Sequence, residues 1–290
     1  MLLIVGCKGQ LGTELTNLLN KDDYIAVDVD SLDITNEEQV KTFFTNNKID
    51  LVVNCAAYTN VDKAESDKEK ANLINNIGVS YLAKYGKNLI HVSTDYVFDG
   101  TKNTPYVETD PVNPTSVYGS TKLLGEKAAL ENAEKTVIIR TAWLYSPYGN
   151  NFVKTMIRLG QSRPELKVIF DQIGTPTYAK DLAKAICTII DSKVFTTKDN
   201  LKEIYHFSNE GVCSWYDFAK AIMEETNIDC KVLPIESFEY PTPVKRPSYS
   251  VLNKAKIKKD FGLVIPQWRD SLIICLKYLK DWVSLKICVN

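Results

Sequence analysis

Histidine is almost missing from this chain: His91 and His206 are the only two in 290 residues. That speaks against a histidine-rich metal site and against a Ser-His-Asp triad. The seven cysteines, Cys7, Cys55, Cys187, Cys213, Cys230, Cys275 and Cys288, stand singly. An odd count without a C-x-x-C pair argues against a disulfide framework and a zinc site; burial as small apolar residues in a reducing compartment is the expectation. Neither charge sign dominates, with 35 Lys and Arg against 36 Asp and Glu. No basic stripe alternates with aromatics, so nucleic acid is not an expected partner. Long apolar runs are lacking too. Met1–Val5 is apolar but stops at Gly6 without a charged leader or cleavage site, too short for a signal peptide or membrane span. The expectation is a cytoplasmic protein.

What remains is an ordinary globular composition, 44% hydrophobic and 24% charged. The length suits one large domain or two coupled ones. Short apolar runs alternate with helical stretches in the first half. Strands are expected at Leu2–Val5, Tyr24–Val27, Leu51–Cys55, Leu89–Ser93 and Val137–Arg140. Helices are expected at Leu11–Leu19, Glu37–Phe44, Ala64–Leu82 and Val117–Asn132. Strands apolar on both faces and separated by helices mean a doubly wound parallel sheet of Rossmann type, an α/β fold. The second half is less regular. Asn151–Gly160, Tyr178–Ile190, Trp215–Glu225 and Ser271–Trp282 read as helices, His206–Phe207 as a short strand, and Ser237–Pro247 as loop. The expected division is a dinucleotide-binding domain over 1–150 and a smaller, mainly substrate-binding α/β region over 151–290, with some segments returning to the first sheet.

Gly6-Cys-Lys-Gly9-Gln-Leu-Gly12 follows the first strand and opens the first helix. Glycines there permit a tight turn and close approach of a pyrophosphate to backbone N–H groups at the positive helix end. The strand-to-helix context lifts this triplet above a chance match. Asp28 ends the second strand, where a ribose-contacting acid is expected, with Asp30 as a nearby competitor. An acid there favours NADH, and Lys8 in the loop offsets it, so both NADPH and NADH are compatible. Asn54-Cys-Ala-Ala-Tyr58 ends the third strand with small residues that let a ligand lie against the sheet edge; tight helix packing is the rival explanation for Ala56 and Ala57.

Tyr118 and Lys122 are four residues apart on one helix, so they share a face. Ser93-Thr94 places a hydroxyl at the end of the fourth strand, on the ligand side. A free phenol, with a pKa of about 10, is a weak proton donor at neutral pH. A nearby ammonium favours the phenolate and lowers that value. Thr94 then orients a substrate carbonyl, a nicotinamide supplies hydride, and Tyr118 donates the proton. Thr94, Tyr118 and Lys122 are the expected catalytic set, with Tyr118 and Lys122 also expected to meet the cofactor, Lys122 at the nicotinamide ribose.

With Gly9-Gln-Leu-Gly12, Ala56-Ala-Tyr-Thr59, Val61-Asp-Lys-Ala-Glu65, Ser93-Thr-Asp-Tyr-Val-Phe-Asp-Gly100, Val117-Tyr-Gly-Ser-Thr-Lys122 and Asp171-Gln-Ile-Gly-Thr-Pro-Thr177, the chain resembles the extended short-chain dehydrogenase/reductases. Within that superfamily it resembles the dTDP-4-dehydrorhamnose reductase family, over Met1 to about Leu252. The resemblance implies reduction of the C4 ketone of dTDP-4-dehydro-L-rhamnose with NADPH or NADH. It places Thr94, Asp95 and Trp143 at the sugar, and Gly9, Gln10, Leu11, Asp28, Asp33, Ile34, Ala56, Ala57 and Tyr58 at the cofactor. Arg246, in Arg246-Pro-Ser-Tyr-Ser-Val-Leu252, would pair with the diphosphate, a structural role being the rival. Trp143 has a rival role as core between the two regions.

The chain departs from the family pattern in places. Leu82–Ile90 is about one helical turn short. Some relatives bind Mg2+ between subunits through glutamates; Glu14 matches one such position, but Lys180 stands at another and repels a metal. No metal site is therefore expected, and the assembly is a monomer or a homodimer. The rivals are a sugar-nucleotide epimerase or dehydratase of the same superfamily, and a non-catalytic NADP-binding regulatory subunit. The intact Thr94-Tyr118-Lys122 set argues against the last.

Overall fold

The computed structural model describes the backbone of residues 1–287 and side chains through Leu279. Cys288, one of the seven scattered cysteines, lies outside the described residues. Five strands of the first half are Leu2–Val5 (β1), Tyr24–Val27 (β2), Leu51–Asn54 (β3), Asn88–Thr94 (β4) and Lys135–Thr141 (β5). Together with Lys202–His206 they form one six-stranded sheet. The order runs from Lys202–His206 through β5, β4, β3 and β1 to β2, and every pairing is parallel. The chain leaves β1 for β2 on one side and returns to β3 on the other. The carboxyl ends of β1 and β3 therefore flank the crevice where open α/β sheets bind ligands.

These strands are apolar on both faces because both are covered. Leu11, Leu15, Leu182, Ile186 and Ile189 pack on one face, and Val40, Val79, Leu82 and Ala129 on the other. Leu182, Ile186 and Ile189 come from the helix Ala179–Asp191, so the second half supplies both a strand and a covering helix to the first sheet. The expected short strand at His206–Phe207 is the end of the longer Lys202–His206. Its alternation was hidden by Lys202 and Glu203 at the exposed start.

The expected helix Ala64–Leu82 is broken. Val61–Ala64 and Lys68–Asn72 are short helices, Leu73–Ile77 is a π turn, and Gly78–Gly86 resumes the α-helix. The wider π turn carries the buried Asn75, whose amide donates to Tyr58 O at 3.1 Å and to Thr121 Oγ1 at 3.2 Å. A single residue, Lys87 with φ +59°, joins Gly86 to β4, which accounts for the short Leu82–Ile90 stretch.

The other core gathers Val153, Met156, Phe218, Ile222, Leu272 and Leu276 between the helices Phe152–Ser162, Trp215–Thr226 and Trp268–Ile287. Short strand pairs bind it together, Glu165–Ile169 with Lys231–Ile235 and Ile173–Gly174 with Cys213–Ser214. Ser214 and Asp217 cap each other's backbone at the start of Trp215–Thr226. Leu144–Tyr145 pairs with Thr177–Tyr178 where the chain passes from one core to the other. No helix among the described residues is long and apolar enough to cross a membrane.

Candidate active site

A cleft of about 1280 Å³ runs along the carboxyl ends of the strands, from the glycine loop to Tyr118 and on to Trp143, Trp215 and Arg246. Of the residues expected to meet a cofactor, Gly6, Gly9, Gln10, Leu11, Asp28, Asp33, Ile34, Ala56, Ala57, Tyr118 and Lys122 line it. Gly12 and Tyr58 do not. Gly12 lies behind the loop, where a Cβ would come 2.2 Å from Gly6 O and 2.7 Å from Cys7 Cα. Its smallness serves the close contact of helix and loop rather than a ligand. Tyr58 turns away: its phenol donates to Asp67 Oδ2 at 3.1 Å, and its amide to Asn75 Oδ1 at 2.8 Å.

The loop is built to leave donors open. Gly9 is the N-cap of Gln10–Thr16, and no side chain caps that end. Gln10 Oε1 accepts from Asn151 Nδ2 at 2.9 Å, tying the loop to the start of the second core. Asp28 holds the loop from below: its Oδ2 accepts Lys8 N at 2.9 Å and its Oδ1 accepts Val29 N at 2.9 Å. Lys8 Nζ pairs with Asp30 at 2.6 Å on the exposed rim. Asp33 Oδ1 accepts the amide and hydroxyl of Thr35, at 2.9 and 2.7 Å. Uncapped amides, small residues at the end of β3 and an acid at the end of β2 fit a dinucleotide lying along the cleft.

The tyrosine sits at the first turn of Val117–Asn132, whose N-cap Ser116 accepts from Gly119 N at 3.0 Å. A Cβ at Gly119 would come 2.2 Å from Tyr96 O, so the glycine lets this helix press onto the turn after Thr94. Tyr118 is thereby within hydrogen-bonding reach of the Thr94 hydroxyl and edge-on to Tyr96, centroids 5.5 Å apart. The helix is pinned from inside by a buried ion pair. Arg140 of β5 grips Glu126 through Nε and Nη2 at 2.9 and 2.7 Å, and Ser93 Oγ donates to Glu126 Oε1 at 2.5 Å.

The electrostatics depart from the sequence expectation. Burial raises the Tyr118 phenol above its ordinary range; the Thr94 hydroxyl works against that, and Asp95 adds to it. Lys122 is buried and donates to Val92 O at 2.6 Å instead of facing the phenol. Burial brings its amine down to about 8, with Glu126 opposing the shift. An ammonium that lowers the tyrosine is thus not the arrangement found here, because Lys122 is drawn toward the sheet by a backbone carbonyl.

Asp95 is buried and accepts from Thr94 Oγ1 at 3.0 Å; its Oδ2 makes no well-formed hydrogen bond, with the Ser250 hydroxyl its neighbour. Burial lifts its carboxyl to about 7 against the opposing Thr94 hydrogen bond. Arg246 pairs with Asp62 at 2.6 Å and donates to Tyr96 OH at 3.0 Å, so its guanidinium reaches the cleft already engaged. Trp143 lines the cleft with φ +48° and stacks on Trp215.

Trp215, Asn75, His91 and the Glu126–Arg140 pair were not evident from the sequence. Trp215 follows no motif, and its role rests on the capped helix start that aims it at Trp143. Asn75 and His91 act through long-range contacts that spacing does not record. Glu14 is buried, with Oε1 unpartnered; burial raises its carboxyl to about 7 while Lys180 opposes. Among the described residues no three His, Cys, Asp or Glu side chains gather as a metal site.

A family model described as the RmlD substrate binding domain matches residues 1–280. A dTDP-4-dehydrorhamnose reductase from Aggregatibacter actinomycetemcomitans is 42% identical, the match covering 93% of this chain and 96% of that protein. The chain belongs to the dTDP-4-dehydrorhamnose reductase family. It is an NAD(P)H-dependent oxidoreductase of Rossmann fold. Among solved members of the family, the Clostridium acetobutylicum reductase matches with a TM-score of 0.90 and 44% identity, covering 96% of this chain and 99% of that one. The Bacillus anthracis reductase, described in complex with NADP, matches with a TM-score of 0.89 and 38% identity over 96% and 98% of the two chains. A Bacillus subtilis relative, 42% identical over 93% of this chain and 94% of that protein, is named spore coat polysaccharide biosynthesis protein SpsK.

Proposed function

We propose that this reductase converts dTDP-4-dehydro-L-rhamnose to dTDP-L-rhamnose at the expense of NADPH, with Tyr118 as proton donor. The observation that carries this reading is the meeting of Thr94, Asp95, Tyr118 and the Trp143–Trp215 stack at one end of a cleft whose other end is an uncapped glycine loop. The relatives named for this activity, and the Bacillus anthracis relative described with NADP, support substrate and cofactor.

Gly6, Gly9, Gln10, Leu11, Ala56 and Ala57 would hold the dinucleotide, and Asp28, Asp33 and Ile34 its adenosine end. When bound, the nicotinamide supplies the hydride for the ketone carbon. The chain supplies the rest. Thr94 would turn its one hydroxyl proton from Asp95 Oδ1 to the ketone oxygen, and Tyr118 would deliver its own proton there as negative charge develops. Burial keeps the phenol protonated throughout the neutral range but makes it a weaker acid, and an ammonium brought beside it would restore the acidity that the transfer needs. Lys122, released from Val92 O, would reach the ribose and the phenol. Asp95 would accept or donate at a sugar hydroxyl through Oδ2. The indole of Trp143 covers an apolar sugar face, and Arg246, at the rim, meets the diphosphate.

In this reading residues 1–150 carry the cofactor and residues 151–290 mainly the substrate. Asp28 and Asp30 oppose a 2′-phosphate and Lys8 on the exposed rim attracts it, so the preference for NADPH rests on the Bacillus anthracis relative described with NADP, and NADH stays usable. The test is a panel of keto-sugar nucleotides assayed with NADPH and NADH in parallel. The reading expects cofactor oxidation with the dTDP-4-keto-6-deoxy sugar and faster turnover with NADPH. No oxidation with that substrate would overturn it, and tightly retained NAD with interconversion of sugar epimers would point to an epimerase.

A further inference from the structure

Lys122 does not stand alone on its carbonyl. Its Nζ is also 3.5 Å from His91 Nε2, and His91 Nδ1 is 3.1 Å from Asn54 Nδ2. Asn54 Oδ1 in turn accepts the Ala56 backbone N–H at 3.1 Å. Asn54, His91 and Lys122 are all fully or almost fully buried, and Asn54 and His91 are register partners on the adjacent β3 and β4. The hydrogen-bond directions in this chain can be deduced from its fixed end. A backbone N–H can only donate, so Asn54 presents its oxygen to Ala56 and its NH2 to His91. His91 Nδ1 must then accept, which leaves the ring proton on Nε2, pointing at Lys122. An Nε2–H facing an ammonium would set donor against donor. Facing a neutral amine, it meets a lone pair, and the amine keeps an N–H for Val92 O.

We propose that His91 is a positioning residue for Lys122. The Ala56–Asn54–His91 chain fixes the ring proton on Nε2 and holds the lysine retracted and uncharged; when Lys122 takes up a proton it is turned out of this pocket into the cleft. The inference rests on the catalytic reading of Tyr118 and Lys122. It assigns the lysine two positions coupled to its charge, one at Val92 O and one toward the phenol and cofactor.

The other groups facing Lys122 do not supply that coupling. Glu126, one turn along the same helix, is engaged by Arg140 and Ser93. Cys55, at the end of β3, is pushed up to about 12 by burial and stays a thiol. Tyr118, one turn earlier, is raised and stays a phenol. Burial, with Lys122 beside it, pushes the His91 imidazolium well below its usual range, so the ring is neutral and its tautomer is the variable.

The experiment is ring-15N NMR of the full chain labelled on histidine, with pH profiles of kcat/KM. The only other histidine is an internal control: His206 Nδ1 is 3.0 Å from Tyr106 O, so it must carry its proton on Nδ1. The expected spectrum shows opposite tautomers, Nε2–H for His91 and Nδ1–H for His206. Asn54→Asp offers two acceptors and should flip His91 to Nδ1–H. His91→Leu removes the donor without adding charge. The alkaline limb of the profile, where Lys122 loses its proton, should move up by about one unit in this variant. A wild-type His91 protonated on Nδ1 overturns the proposal, and so does a His91→Leu enzyme that turns over more slowly with an unmoved alkaline limb. If a variant fails to fold, the wild-type spectrum decides. If the wild type reduces no keto sugar, the proposed function fails while the spectrum still judges this inference.

Discussion

Trp143 and Trp215 stack face to face, with ring centroids 3.5 Å apart and planes inclined by 10°. Trp143 reaches this position only through a left-handed backbone, φ +48°, a conformation that costs a bulky residue on the order of 1–3 kcal/mol. Trp215, itself braced by Phe152 at 4.6 Å, offsets that strain and fixes the indole at the cleft wall. Trp215→Ala should free Trp143 and weaken the sugar subsite. An aromatic pair contributes roughly 0.5–1.5 kcal/mol beyond its buried area, so KM for the keto-sugar nucleotide should rise up to about tenfold, with the NADPH dissociation constant unchanged. Steady-state kinetics beside cofactor titration separate the two effects; equal loss of both would place Trp215 in the general fold.

Glycines of the loop should divide by what surrounds them. Gly12→Ala places a methyl 2.2 Å from Gly6 O, so the helix must leave the loop. Overpacking of that kind costs roughly 1–3 kcal/mol or more, and both Tm and NADPH affinity should fall. At Gly9, which lines the cleft, a methyl meets only Gly6 O, at 3.3 Å. Gly9→Ala should keep Tm close to wild type and lose cofactor affinity. Thermal melts with and without NADPH test the contrast.

The range of an interaction decides whether the sequence records it. The parallel sheet could be read because its strands are apolar on both faces and each is local. The glycine loop and the Tyr118–Lys122 spacing are also local patterns. The π turn around Asn75, the full strand Lys202–His206 and the Trp143–Trp215 stack were not legible, since each depends on partners tens of residues away. The direction in which Lys122 points is not legible for the same reason: helix spacing places it on the face of Tyr118, while Val92 O and His91 decide where Nζ lies.

Glu14 carries a pH dependence with a definite sign. Burial raises its carboxyl to about 7, above the unfolded value of about 4.3. A raised acid stabilises the fold fully below its unfolded pKa, and that contribution is lost as pH rises to the folded one. Glu14→Gln keeps the shape without the charge. The variant should gain stability over wild type as pH rises from 4 to 7 and hold a gain of about 2–3 kcal/mol above that. Denaturant melts at several pH values give the curve; a gain largest in acid would contradict the assignment.

The buried Glu126–Arg140 pair should show the asymmetry of internal charges. Glu126→Leu leaves the Arg140 guanidinium buried and unpaired, and should cost about 3–5 kcal/mol. Glu126→Leu combined with Arg140→Met should recover most of that loss. The double variant should still be slow, because Ser93 and the tyrosine helix lose a shared partner. Equilibrium unfolding and turnover measured on the same preparations distinguish the stabilising role from the positioning one.

In the proposed reaction Tyr118 gives its proton to the ketone oxygen. The most direct test of that step is single-turnover reduction of dTDP-4-dehydro-L-rhamnose by NADPH-loaded Tyr118→Phe enzyme, with the NADPH dissociation constant measured alongside. The rate should fall by about 10²–10⁴-fold with cofactor affinity within about twofold of wild type. A Tyr118→Phe enzyme that reduces the ketone at near wild-type rate would contradict it.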